Sequence, residues 1–240
     1  MLDDTTFDDT RLAALQAAEE QANRLFDAIE RDGLIAPGRS ERDIERDVFA
    51  LAEREFGVKT HWHKRIVRAG PNTVSIFDEN PPVREIEADD MVFLDLGPVF
   101  EEWEADVGRT YVIGDDPQKH KLRADLESIF DALTRHFHDN ADITGAQLYA
   151  EALRQAAKEG WWFGGKIAGH LVGEFPHARI PGNKDHYRIN PANPTRMHAP
   201  DDAGRRKNWI IEVHLVDLER RYGGFYERLA MTAPGGTARP

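Results

Sequence analysis

Apolar residues recur at helical spacing over residues 10–30, where Leu12, Leu15, Ala22, Leu25, Phe26 and Ile29 alternate with charged positions. Residues 33–38 interrupt the pattern with Gly33, Pro37 and Gly38. Ser40 and Asp43 form a Ser-x-x-Asp start signal for a second helix, which carries Ile44, Val48, Leu51 and Phe56 and ends near Gly57. The outer faces of both helices are charged and read as solvated surface. From Thr60 onward the spacing becomes short. Residues 65–68 predict a strand, Gly70-Pro71-Asn72 a turn, and 91–96 an apolar strand closed by Gly97-Pro98. Residues 99–103 and 109–113 predict two more strands, joined through 104–108. Helical periodicity returns over 117–137, with Leu122, Leu126, Ile129, Leu133 and Phe137 on one side. Thr144 and Gln147 form a capping box that opens a helix to about Glu159. Residues 161–163, 209–216 and 225–231 predict strands, and 176–207, rich in Pro, Asn and Asp, predicts a long loop. Residues 234–240 read as a frayed end. Helices first, then strands interleaved with two helices, describe an α+β fold: an antiparallel sheet with helices on one face.

Composition narrows the chemistry. The 240 residues suit one catalytic domain, with helices over 1–58, a core over 60–232 and a tail over 233–240. The net charge of −12 disfavours a phosphate backbone, so nucleic acid is not an expected partner. No apolar run reaches the roughly 18 residues that span a bilayer, and the acidic start Met1-Leu2-Asp3-Asp4 does not resemble a signal peptide. A cytoplasmic protein without membrane attachment is the expectation. The chain has no Cys, which removes disulfides, thiolate nucleophiles and thiolate metal sites. Any metal would have to be held by His, Asp and Glu.

Asp95 interrupts the apolar run Phe93-Leu94-Asp95-Leu96, where a carboxylate is costly unless it caps the turn, pairs, or ligates a metal. Asp106 follows eleven residues later, and adjacent antiparallel strands could bring the two to one side of a sheet. Alternatively, it belongs to a solvated acidic edge with Glu101, Glu102 and Glu104. His170 lies among glycines in Gly169-His170-Leu171-Val172-Gly173, and His177 follows seven residues on. Glu212 sits in the apolar run Ile210-Ile211-Glu212-Val213, on the same face of a regular strand as Ile210 and His214. Glu227 sits in Phe225-Tyr226-Glu227-Arg228, either exposed, paired with Arg228 or Arg109, or a ligand.

In this order, Asp95, Asp106, His170, Glu212 and Glu227 resemble the metallopeptidase superfamily of methionine aminopeptidase, aminopeptidase P and prolidase. The resemblance spans about residues 60 to 232 and includes both the Asp and the His spacing. It implies the pita-bread fold, a curved antiparallel sheet with helices on its outer face. It implies two divalent ions, manganese first, with cobalt, zinc or iron as alternatives. Asp95 would ligate one ion, Asp106 and Glu227 would bridge, and His170 and Glu212 would complete the second. Glu212 would also move protons, and His177 would hydrogen-bond the substrate or tetrahedral intermediate. The implied activity is hydrolysis of short peptides of the Xaa-Pro type, with a metal-bridging water as nucleophile. A creatinase-like hydrolase of small amides and a silent binding protein are the alternatives. Relatives of this kind are often dimers, so a homodimer is a further expectation.

The sequence departs from that pattern in three places. Peptidases of this superfamily carry another His about eighteen residues before the first Asp, whereas 72–80 contains none. His61 and His63 lie upstream, read by default as surface-loop histidines, and could substitute only if their loop folds inward. The usual Gly-His-Gly is Gly169-His170-Leu171 here, and Leu171 could narrow a pocket. Only about 60 residues precede the resemblance, without the N-terminal domain of full-length aminopeptidase P or prolidase. Trp62, Trp161, Trp162 and Tyr226 are candidates for pocket walls, with core packing as the commoner use.

Overall fold

A computed structural model describes residues 4–176 and 183–231. The first helix, α1 (Asp4–Arg31), starts earlier than its apolar stripe because the acidic and Thr-rich residues before it continue the turn. Helix α2 (Glu41–Phe56) has the predicted ends. The Ser40 hydroxyl accepts from the Asp43 N–H at 3.1 Å; Gly57, at φ 67°, donates its N–H to the Glu53 carbonyl, and the Val58 N–H goes to the Ala52 carbonyl. Helices α3 (Pro117–Asp139) and α4 (Gly145–Glu159) follow the strands that precede them, and α4 opens on the Thr144–Gln147 capping box.

Strands β1 (Ile66–Ala69), β2 (Met91–Leu96), β5 (Val107–Val112), β6 (Trp162–Phe163), β7 (Gly169–Val172), β8 (Asn208–Val216) and β9 (Gly223–Leu229) form one antiparallel sheet. Its order is β1-β2-β5-β9-β8-β6, and β7 also pairs with β8. The predicted strand over 99–103 is instead a small separate hairpin, β3 (Val99–Phe100) and β4 (Trp103–Glu104). The chain reverses there because Glu101 takes a left-handed conformation at φ 57°. Strand β7 is an addition to the sequence reading, and Gly70-Pro71-Asn72 opens a 3₁₀ turn, Gly70–Val74.

Alternation divides the sheet into two faces. Val92, Leu94 and Leu96 pack with Leu25, Phe26, Ile29, Val48 and Leu51 of α1 and α2. Ile211, Val213 and Leu215 pack with Leu122, Leu126, Ile129 and Leu133 of α3. Each fully buried Leu or Ile contributes about 1.5–3 kcal/mol, so these two clusters fix the register of β2 and β8. The intervening residues, Phe93 and Asp95 on β2 and Glu212 and His214 on β8, face away from the helices and line a cavity of about 350 Å³. No helix among the described residues is long and apolar enough to cross a membrane.

Candidate metal centre

The sheet register lays out the floor of this cavity. Asp95 stands opposite Gly108, Gly108 opposite Glu227, and Glu227 opposite Glu212. Residues directly opposite on neighbouring strands share a face, so three carboxylates line up across β2, β9 and β8. The fourth member of that row is a glycine for a steric reason. A Cβ on Gly108 would lie 2.5 Å from the Phe225 ring. Asp106, two residues before Gly108, points to the same face by the period of the strand. Like charges so placed repel, and three of these carboxylates are almost fully buried: Asp95 is 7% exposed, Asp106 3% and Glu227 2%. Arg109 does not relieve them, because it pairs with Glu30 and Asp27 of α1.

Two imidazoles enter the acid cluster from opposite sides. His170 comes from β7, whose pairing with β8 depends on Gly169. That residue sits at φ 134°, and a Cβ there would lie 2.0 Å from the Ile210 carbonyl oxygen. His170 Nδ1–H donates to the Leu171 carbonyl at 2.8 Å, leaving Nε2 3.0 Å from Asp106 Oδ2 and 3.7 Å from Glu227 Oε1. The second imidazole is His63, so the reading of its loop as surface is corrected. Residues 60–62 zip onto the turn after β2. The Trp62 N–H donates to the Gly97 carbonyl at 2.9 Å, the Val99 N–H to the Thr60 carbonyl at 3.0 Å, and the Trp62 indole N–H to the Ala105 carbonyl at 3.1 Å. The loop thereby turns inward, and the His63 side chain is only 7% exposed. Its Nε2 lies 3.2 Å from Asp106 Oδ1 and 3.5 Å from Asp95 Oδ1. His61 does not join it: half-buried against Phe49, it is pushed down to about 4 by burial and by Arg65. Phe77, eighteen residues before Asp95, packs edge-on against the His63 ring at 5.8 Å.

The electrostatics follow from this crowding. Burial raises Asp95 to about 6 and Glu212 to about 8, with neighbouring carboxylates adding to both shifts. Glu227 is raised well above the usual carboxylate range, first by burial and then by Asp106 and Asp95. Burial also acts upward on Asp106, but hydrogen bonds from His170 and His63 overcome it and hold the group down at about 2. Burial opposes charge on His63, yet Asp95 and Asp106 raise it to about 9, and His170 is raised chiefly by Asp106.

Donor spacing is a test of whether an ion fits. Two atoms that each sit about 2.1 Å from one ion are about 3.0–3.4 Å apart. The separations of 3.0 and 3.2 Å at Asp106 fall in that range, and the 3.5 Å from His63 Nε2 to Asp95 Oδ1 lies just above it. His63, Asp95 and Asp106 form one group that could hold a metal, and Asp106, His170 and Glu227 form another. All five residues singled out in the sequence as ligands therefore line one cavity. His177 lies outside the described residues. Of the aromatic candidates, Trp62 lines the cavity, Trp161 and Tyr226 pack into the α3/α4 core, and Trp162 is exposed. Leu171 is buried in the same core and also borders the cavity.

An antiparallel sheet with helices on one face and an acid-and-imidazole floor on the other defines a metallohydrolase architecture. The profile of metallopeptidase family M24 matches residues 13–200, and the chain belongs to that family. Glu212 and Glu227 lie beyond the matched stretch and are supplied by the sheet register. No curated protein matches the sequence. Among solved structures, a prolidase from Thermococcus sibiricus superposes with a TM-score of 0.71 at 21% identity, covering 94% of this chain and 60% of its own. An X-Pro aminopeptidase from Thermotoga maritima MSB8 gives 0.71 at 19%, covering 95% and 62%. A methionine aminopeptidase from Thermotoga maritima gives 0.62 at 15%, covering 85% and 86%. These likenesses establish the pita-bread fold. The chain spans about three-fifths of the length of the prolidase and the X-Pro aminopeptidase.

Proposed function

We propose that the chain is a dinuclear-metal-dependent hydrolase of short peptides, of the Xaa-Pro aminopeptidase or dipeptidase type. One observation carries this reading: four carboxylates and two imidazoles converge on the floor of a single cavity, and two donor groups share Asp106. Asp95 would ligate one ion, Asp106 and Glu227 would bridge, and His170 and Glu212 would complete the second. Divalent ions held there would supply Lewis acidity and lower the pKa of water. Glu212, which lines the cavity floor, is assigned proton transfer on the family resemblance. His177 is assigned to substrate hydrogen bonding on the family resemblance alone. Ile66, Phe93 and Phe225 make an apolar wall that excludes water beside the acids. Lys166, Lys184 and Arg188 also line the cavity and offer positive charge to a peptide carboxylate, which favours short substrates.

Metal content per chain tests the first half of the proposal. Wild type reconstituted with Mn(II), Co(II) or Zn(II) should hold about two ions, and Asp106→Ala should lose both. A wild type that retains no metal would sink the reading. A peptide panel tests the second half: Xaa-Pro dipeptides and tripeptides should turn over with Mn(II) or Co(II). Phe77, which stands where the resemblance places a histidine, favours one alternative, a creatinase-like hydrolase on the same fold. Inertness toward peptides with cleavage of small amides or amidines would select it.

A further inference from the structure

We infer that His63 is itself a ligand of the ion on the Asp95 side, so that each ion of the pair has its own imidazole. The inference rests on the two-metal reading above and adds a residue to it. Three independent features carry it.

The first is construction. His63 and His170 are built alike although one comes from a loop and the other from a strand. Each donates Nδ1–H to the carbonyl of the residue that follows it, Lys64 at 2.6 Å and Leu171 at 2.8 Å. That bond turns Nε2 toward the acids, the orientation in which metal-binding histidines are commonly held.

The second is the geometry of sharing. Asp106 presents Oδ1 to His63 Nε2 at 3.2 Å and Oδ2 to His170 Nε2 at 3.0 Å. One carboxylate thus offers one oxygen to each half of the site, as a residue that would serve two ions must. Asp95 Oδ1, 3.5 Å from His63 Nε2, completes the first half, and Glu227 completes the second.

The third is the cradle. A Cβ on Gly97 would lie 2.2 Å from His63 Cδ2 and 2.4 Å from Nε2, so the ring occupies space that only glycine leaves free. Trp62, with its ring centroid 4.5 Å away, and Phe77 at 5.8 Å hold the other sides. A ring clamped on three sides, with its Nε2 aimed at two carboxylates, is positioned to one end.

A second imidazole changes which ions the site prefers. A half made of carboxylates alone favours hard ions such as Mn(II), and adding imidazole moves it toward Co(II), Zn(II) or Fe(II).

The experiment uses the intact chain loaded with two equivalents of Co(II). In proton NMR, each coordinating histidine contributes one strongly downfield, solvent-exchangeable imidazole N–H resonance. Two such resonances are expected in wild type, and one in His63→Gln. Calorimetric titration should show His63→Gln losing at least about 10-fold in Co(II) affinity at one of two sites, with a smaller loss for Mn(II). The wild-type spectrum needs no variant to fold. A single shifted N–H in cobalt-loaded wild type overturns the inference and leaves His63 as an ion-pair or substrate contact, with the two-metal reading intact. No retained cobalt and no shifted resonance would overturn both.

Discussion

Substituting Gly97 by Ala probes the imidazole cradle without touching a donor atom. The backbone at Gly97 lies outside the left-handed region, so alanine is tolerated by the main chain, which continues to pair with Trp62. The new methyl, however, would stand 2.2 Å from one atom of the His63 ring and 2.4 Å from Nε2, against ordinary contacts of roughly 3.5–4 Å. The ring must therefore retreat by more than about 1 Å, while a ligand has a tolerance of about 0.2 Å. The retreat costs about 1–3 kcal/mol of overpacking, which lowers Tm by roughly 2–4 °C per kcal/mol in a chain this size. Metal affinity on the Asp95 side should fall at least about 10-fold, with the His170 side retained. Calorimetric titration with Co(II) and thermal melts of metal-free protein measure the two effects separately. A cycle with His63→Ala sharpens the test: removing the ring relieves the two shortest contacts and leaves the Trp62 indole nitrogen at 2.6 Å, so the double variant should lose somewhat less stability than the sum of the singles. Unchanged metal titration together with an unchanged Tm in Gly97→Ala would refute the reasoning.

Two further outcomes follow from the same geometry. Glu212, Glu227, Asp95 and His63 all bind protons more tightly folded than unfolded, so the stability they contribute is present at low pH and lost as pH rises. For Glu212 the loss runs from its ordinary 4.5 to about 8, and for His63 from 6.5 to about 9. Asp106, lowered to about 2, acts the other way only below its ordinary 3.8. Metal-free protein should therefore melt at progressively lower temperature from pH 5 to pH 9, and saturating metal should reverse the slope because binding displaces those protons. A metal-free Tm that climbs over this range would contradict the assignment. Gly169→Ala should be far more damaging than Gly97→Ala, since its Cβ would meet the Ile210 carbonyl and the backbone there is left-handed. Loss of β7 protection in hydrogen exchange, with loss of one metal, is expected, and a fully protected β7 would count against it.

Much of this architecture was legible in local pattern. Ser40 and Gly57 bracket α2 because capping is chemistry between neighbours, and Thr144 with Gln147 does the same for α4. Asp95 stood out because a carboxylate inside Phe93-Leu94-Asp95-Leu96 is expensive, and it does lie on the buried strand β2. The features that escaped depend on distant partners or on single dihedrals. Nothing near Glu101 announces φ 57°, so a hairpin was read as one strand. Strand β7 is four residues long and exists through its pairing with β8, about forty residues away. His63 looked like a surface residue because its burial comes from hydrogen bonds to Gly97 and Ala105. Glu227 was open to pairing with Arg109 until the structure paired that arginine with Glu30 and Asp27 of α1.

The carboxylate row across β2, β5, β9 and β8 also ties chemistry to the order of synthesis. Asp95 and Asp106 leave the ribosome more than a hundred residues before Glu212 and Glu227, yet the sheet joins the two pairs through Gly108, whose neighbours are Asp95 on one side and Glu227 on the other. No nascent fragment ending before β9 can assemble the whole floor: the His63, Asp95 and Asp106 group needs only residues up to β5, whereas the Asp106, His170 and Glu227 group waits for the last strand. A slip of one residue in β8 would turn Glu212 into the helix-packed layer and bring Ile211 or Val213 to the cavity. Metal capture would then discriminate the native pairing from its neighbours, rewarding only the alignment in which all the strands agree.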